Sequence, residues 1–166
     1  MYCIGDKVVH PMHGAGTIKD LKKIMLSGIE REYYVVCFAA GNMVSDIPVD
    51  SCDKIGIRNV ISKEDAKKVL EYFHSLKVGD DLNWNKRQRD NMVKLKSGDI
   101  YQVSVVLKEL MCRERRKGLS TSERKTLGSA KQIILSELIM SGVADESDIE
   151  LILNDCISEA VGTNKD

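Results

Sequence analysis

The chain has 166 residues and a mass of 18.6 kDa, enough for one ordinary domain or two small ones. Hydrophobic residues make up 43% and charged residues 30%, a globular rather than a disordered balance, and no apolar run is long enough to span a membrane. Lys and Arg number 25, as do Asp and Glu, so the formal charge of zero excludes a uniformly basic or acidic chain.

Residues 1–60 read as strands. Residues 7–10 are short and β-branched. Pro11-Met12-His13-Gly14-Ala15-Gly16 is turn chemistry, because Pro fixes φ and Gly permits positive φ. Residues 17–24 form a second extended run, broken near Ser27-Gly28. Residues 32–38 are the strongest strand, rich in aromatic and β-branched side chains. Gly41-Asn42 turns the chain into residues 43–48, and residues 55–58 close the set. Both prolines fall in this half, Pro11 in a turn and Pro48 at a strand end. Short strands and tight turns predict a small barrel of SH3 or Tudor type.

From Ser62 the period changes. Ser62-Lys63-Glu64-Asp65 reads as a helix cap, and Ala66, Val69, Leu70 and Phe73 then share one face. Val78-Gly79-Asp80-Asp81 is a break. A second helix is expected over residues 83–96 and a third over 100–117, with Gly118 where glycine ends a helix. Ser120-Thr121-Ser122-Glu123 reads as a capping box that opens a fourth helix to about Met140. A fifth covers residues 147–160, and residues 161–166 are expected to fray. The predicted class is α+β: a Tudor/SH3-like β-barrel over residues 1–60, then a five-helix α domain over 61–166.

The charge is uneven along this plan. Residues 1–80 carry 11 basic and 11 acidic side chains. Residues 81–131 carry 13 basic and 6 acidic, a net of +7, and residues 132–166 carry 1 and 8, a net of −7. A basic block of this size points to a nucleic-acid-facing surface, although solvated Lys/Arg-rich helix faces would give the same count.

Within the block, Asn83-Trp84-Asn85-Lys86-Arg87-Gln88-Arg89 stands out. Trp84 is the one Trp of the chain, and Leu82 is its one apolar neighbour over several residues. It reads either as a packing staple over a helix N-terminus or as an exposed aromatic. In the second case the indole stacks on a base while Lys86, Arg87 and Arg89 hold phosphates. A second cluster is Arg113-Glu114-Arg115-Arg116-Lys117, followed by Arg124, Lys125 and Lys131. Compensation of the helix dipole explains cations in a last turn, but not Arg124 and Lys125 in a first turn.

Enzymatic signatures are missing. There is no G-x-x-x-x-G-K-[ST] and no G-x-G-x-x-G motif. Cys3, His10, His13 and Cys37 match no zinc spacing, so no metal or other cofactor is expected. Three His (His10, His13, His74) lack the surroundings that Cys/His catalysis needs, and no small-molecule substrate is expected. The five Cys are odd in number and scattered, without C-x-x-C, as in a reduced cytoplasmic protein, and residues 1–6 show no secretory pattern.

Taken together, the residues resemble the CarD/CdnL transcription regulators of bacteria across nearly the whole chain. The matching pieces are Gly5-Asp6-Lys7-Val8-Val9-His10-Pro11 with His13-Gly14, then Glu32-Tyr33-Tyr34-Val35, Ile47-Pro48-Val49 and Gly56-Ile57-Arg58. Asn83-Trp84 followed by Lys86-Arg87, Ser97-Gly98-Asp99, Gly118-Leu119-Ser120 and Glu123-Arg124-Lys125-Thr126-Leu127 continue the match. The resemblance implies an N-terminal Tudor-like domain that binds the β subunit of RNA polymerase. It also implies a helical domain that binds promoter DNA in the minor groove, largely without regard to sequence, and stabilises the open complex. The family Trp falls on Trp84, at the upstream edge of the melted region. The implied polymerase-binding positions are Ile24, Met43, Val44, Asp46, Ile47 and Pro48. Family members carry a basic side chain where this chain has Ile24 and Asp46, so the charge of its docking surface differs. The N-terminal module is also similar to the polymerase-interaction domain of transcription–repair coupling factors, but no helicase motif accompanies it here. The readings weighed against a polymerase–promoter bridge are a general nucleic-acid-binding module and a protein-only adaptor.

Overall fold

The computed structural model of the chain describes residues 1–79 and 83–162. Asp80 and Asp81 of the expected break, Leu82 beside Trp84, and residues 163–166 of the expected frayed end lie outside the described residues. Five strands form one antiparallel sheet: β1 (Lys7–His10), β2 (Gly14–Leu26), β3 (Ile29–Phe38), β4 (Val44–Pro48) and β5 (Arg58–Asn59), in the order β4-β3-β2-β1-β5. The class is α+β, as expected, but the barrel is corrected to an open sheet. β5 is only two residues long and pairs with β1 alone, so it does not reach β4 to close the ring.

The hairpin of β2 and β3 is longer than the sequence pattern suggested. Polar residues interrupt the alternation beyond Ile18, yet the ladder continues from Asp20↔Val35 to Leu26↔Ile29. A register shift between Ile18 and Asp20 changes the side-chain parity of β2, so that Ile18 pairs with Val36 on the inner face and Asp20 with Val35 on the outer one. Ser27 and Gly28 both take positive φ at the tip, 51° and 78°, the geometry of a two-residue hairpin turn. The inner face of the sheet buries Val8, Ile18, Tyr34, Val36, Phe38 and Ile47.

The described residues contain six helices, not five: α1 (Cys52–Ile55), α2 (Lys63–Ser75), α3 (Trp84–Lys96), α4 (Ile100–Arg116), α5 (Thr121–Ser141) and α6 (Glu146–Gly162). The addition is α1, a single turn that overlaps the expected strand over residues 55–58 only at Ile55 and buries Cys52 under the sheet. The other five open on side-chain caps. Ser62, Asn83, Asp99, Ser120 and Asp145 accept from the N–H groups of Asp65, Lys86, Tyr101, Glu123 and Asp148. Their core gathers Val69, Phe73, Leu107, Ile134, Leu138 and Leu153, among others. The buried Lys108 ammonium donates to the carbonyls of Phe73, His74 and Leu76 at 2.6–3.0 Å, satisfying the end of α2. No described helix is long and apolar enough to cross a membrane.

Helix α5 lies against the β1–β2 turn. The Ser136 hydroxyl accepts from the Ala15 N–H at 2.9 Å, and the Gln132 amide donates to the His13 carbonyl at 3.2 Å. Gly14 makes this approach possible: its φ is +80°, and a Cβ there would sit 2.4 Å from Ser136 Oγ. The fully buried carboxylate of Glu137 receives both Arg58 terminal nitrogens, at 2.5 and 2.8 Å, and the Ile61 N–H at 3.2 Å. Arg58 also donates from Nε to the Gly98 carbonyl at 3.0 Å. One side chain at the end of the sheet thus ties it to α5 and to the turn between α3 and α4.

Candidate nucleic-acid face and docking edge

Trp84 is the first residue of α3, one position beyond the Asn83 cap, and is 44% exposed. With Asn83, Asn85, Gln88 and Arg89 it borders an open surface hollow. Lys86 and Arg89 are exposed on the same two turns. Arg124 and Lys125 are exposed in the first turn of α5.

Arg87 does not join them. It is only 8% exposed, and its Nε and Nη2 donate to Glu123 Oε1 at 2.9 and 2.5 Å. A phosphate role for Arg87 is therefore corrected to an internal ion pair. The periodicity explains why: Arg87, Asn91 and Leu95 recur every four residues and form the inward stripe of α3. The same pair corrects the capping box of α5. Ser120 accepts from the Glu123 N–H at 3.2 Å, but the Glu123 carboxylate points to Arg87 rather than back to the cap. Because Glu123 lies in the first turn of α5, this bond brings the first turns of two helices together, with the positive ends of their dipoles.

Lys131 is half exposed and sits 3.6 Å from Glu150 of α6, so the acidic segment neutralises part of the basic block. Arg115 donates to Ser158 at 2.6 Å, and Arg116 to the Ala160 carbonyl at 3.3 Å. Arg115 and Arg116 of the second basic cluster thus tie α4 to α6.

At the other end of the molecule, β4 is an edge strand. Phe38 N–H donates to the Met43 carbonyl at 2.8 Å, and the register then alternates through Val36↔Ser45 and Tyr34↔Ile47. In an antiparallel ladder the residues between those pairs face away. The backbone groups of Val44 and Asp46 therefore point to the open edge. Val44 is 61% exposed, Met43 and Asp46 are exposed, and Pro48 and Ile24 are half-buried. Ile47 differs: it is 4% exposed and belongs to the inner core, so its side chain is not on the docking surface. Asp46 pairs with Lys22 across the outer face at 2.5 Å.

The same register places Ile24, Leu26, Ile29, Tyr33 and Val35 on that outer face, with Leu26 and Ile29 exposed at the hairpin tip. Sequence reasoning singled out Ile24 through the resemblance but missed the other apolar positions. The pairing of Leu26 with Ile29 across Ser27-Gly28 was the signal available to find them.

His10 and His13 stack with ring centroids 4.4 Å apart, against Phe38. Burial, with the neighbouring His13, lowers the His10 pKa to about 4, and its Nδ1 accepts from the Met12 N–H at 3.0 Å. All five cysteines are free thiols. Among the described residues no group of three or more His, Cys, Asp or Glu could hold a metal ion.

Residues 2–61 match the family model described as CarD-like/TRCF RID domain, and residues 68–154 match that described as CarD, C-terminal domain. The chain is similar to a protein of Bacillus subtilis (strain 168) named "Putative transcription factor YdeB". The two are 31% identical over 147 residues, which cover 88% of this chain and 96% of that protein.

Proposed function

Because the chain belongs to the CarD family of transcription regulators, we propose that it bridges RNA polymerase and promoter DNA and stabilises the open complex. The N-terminal sheet takes a strand of the polymerase β subunit along the open β4 edge, where main-chain groups of Val44 and Asp46 supply the hydrogen bonds. The apolar tip at Leu26 and Ile29 adds burial around that strand. The helical domain lies on promoter DNA with Lys86, Arg89, Arg124 and Lys125 on phosphates, which positions it without reading sequence. Trp84 enters the minor groove at the upstream edge of the melted region. There it fills the gap left by an unstacked base step.

The observation that carries this reading is the exposed indole at the head of α3, on a helix tied by Arg87 to the first turn of α5, where Arg124 and Lys125 are exposed. An indole buried as a packing staple would lie inside the helical core, and Trp84 is not among those residues. Permanganate footprinting of a promoter bound by polymerase tests the proposal. The protein is expected to increase reactivity of thymines in the melted region, and to protect the minor groove just upstream. An unchanged footprint with polymerase saturated by the protein would refute it.

A further inference from the structure

The stripe by which α3 meets the bundle is unusual. Its buried residues are Arg87, Asn91 and Leu95, and the one aliphatic member lies at the far end from Trp84. Met92, partly buried in the helical core, is likewise in the second half. Among the described residues, the buried side chain in the half of α3 that carries the indole is the charged Arg87.

The contact of Arg87 is built around Glu123. The residue is 2% exposed and fixed at the third position of α5, with its N–H on the Ser120 cap. Its Oε1 takes two nitrogens of Arg87, and its Oε2 lies 3.8 Å from Arg113 Nε of α4. Three helices meet at this one carboxylate. Apolar contacts tolerate sliding, whereas a planar guanidinium gripped through two nitrogens fixes direction as well as distance.

We propose that Glu123 is a positioning residue for Trp84: through Arg87 it sets where the indole stands relative to Arg124 and Lys125. This rests on the functional reading above, but it has its own physical signature. Trp84 is the one Trp in the chain, so its emission reports on that position alone. Glu123→Gln keeps the shape and one acceptor oxygen but weakens the hold on Arg87. Time-resolved anisotropy should then show a larger and faster local rotation of the indole in a protein whose far-ultraviolet spectrum is unchanged. With polymerase and promoter, the open-complex lifetime should fall toward that of Trp84→Ala. The double variant Trp84→Ala/Glu123→Gln should match Trp84→Ala alone, because Glu123 acts through the indole.

A folded Glu123→Gln protein with wild-type anisotropy and wild-type lifetime overturns the proposal. So does a double variant whose losses simply add. Should Glu123→Gln fail to fold, Arg87→Lys, which keeps a cation for the carboxylate but gives up the two-nitrogen grip, is read by the same two measurements. If Trp84→Ala itself leaves the lifetime unchanged, the functional reading falls, and the anisotropy alone decides whether Glu123 positions the indole.

Discussion

Two side chains of one short stretch, Arg87 and Arg89, differ by two positions and by almost everything else. Arg89 is exposed, while Arg87 is buried on Glu123. Charge counting cannot separate them, because the difference arises from the four-residue stripe of α3 and from a partner 36 positions away. The consequence is measurable. Replacing Lys86, Arg89, Arg124 and Lys125 together by Ala should reduce the slope of log K for DNA against log salt by about four. It should leave the melting temperature nearly unchanged. Arg87→Ala should do the opposite: it strands a buried carboxylate and costs about 3 kcal/mol or more of stability. Salt titrations beside thermal melts read both effects. His10 gives a second expectation at this scale. Its pKa is lowered by burial from 6.5 to about 4, so the unfolded chain binds the proton more readily over that interval. Stability should be full above pH 6.5 and be lost as pH falls toward 4. The His10→Gln variant, melted across that range, should show a shallower decline.

Among the elements, β4 is the one whose proposed function depends on the edge it turns away from β3. The N–H of Asp46 faces the open edge, so Asp46→Pro removes an outward donor without breaking the ladder to β3. That variant should fold and lose polymerase binding, whereas Asp46→Ala should bind nearly as well as wild type. Interferometry with polymerase on the sensor distinguishes the two, and equal binding by both would exclude strand addition. How legible each element was follows from its physics. Caps such as Ser62, Ser120 and the Gly118 stop are local, so the five larger helices could be placed from sequence. The distal arm of the β2–β3 hairpin is polar at Lys19, Asp20, Lys22 and Lys23, and no local pattern announces its ladder. α1 lies just before the expected strand over residues 55–58 and overlaps it only at Ile55; it is one turn long, and Cys52 is what the core takes from it. Ile47 enters the docking set through the resemblance along with its neighbours, and only the register against Tyr34 shows that its side chain belongs to the core.

For the whole molecule, the two working ends are joined by polar contacts around α5. Arg58 reaches Glu137 and Gly98, Ala15 reaches Ser136, and Lys7 reaches the Met140 carbonyl at 3.2 Å. The proposed bridge needs such a joint, because force or position at one end is otherwise lost in a hinge. None of it was legible in the sequence: Arg58 reads as a strand-end cation and Glu137 as a helix charge until the fold brings them together across 79 positions. The Lys131–Glu150 pair shows where part of the −7 segment goes, onto the basic block itself. The central claim is that this joined body holds melted DNA through Trp84. The most direct test is the lifetime of competitor-challenged open complexes formed with wild-type protein and with Trp84→Ala, each checked by thermal melt. The indole should be worth roughly 1–3 kcal/mol on the scale of one stacked base, so the lifetime should fall by about tenfold for each 1.4 kcal/mol, with folding and polymerase binding intact. A well-folded Trp84→Ala protein that sustains the wild-type lifetime would contradict the account.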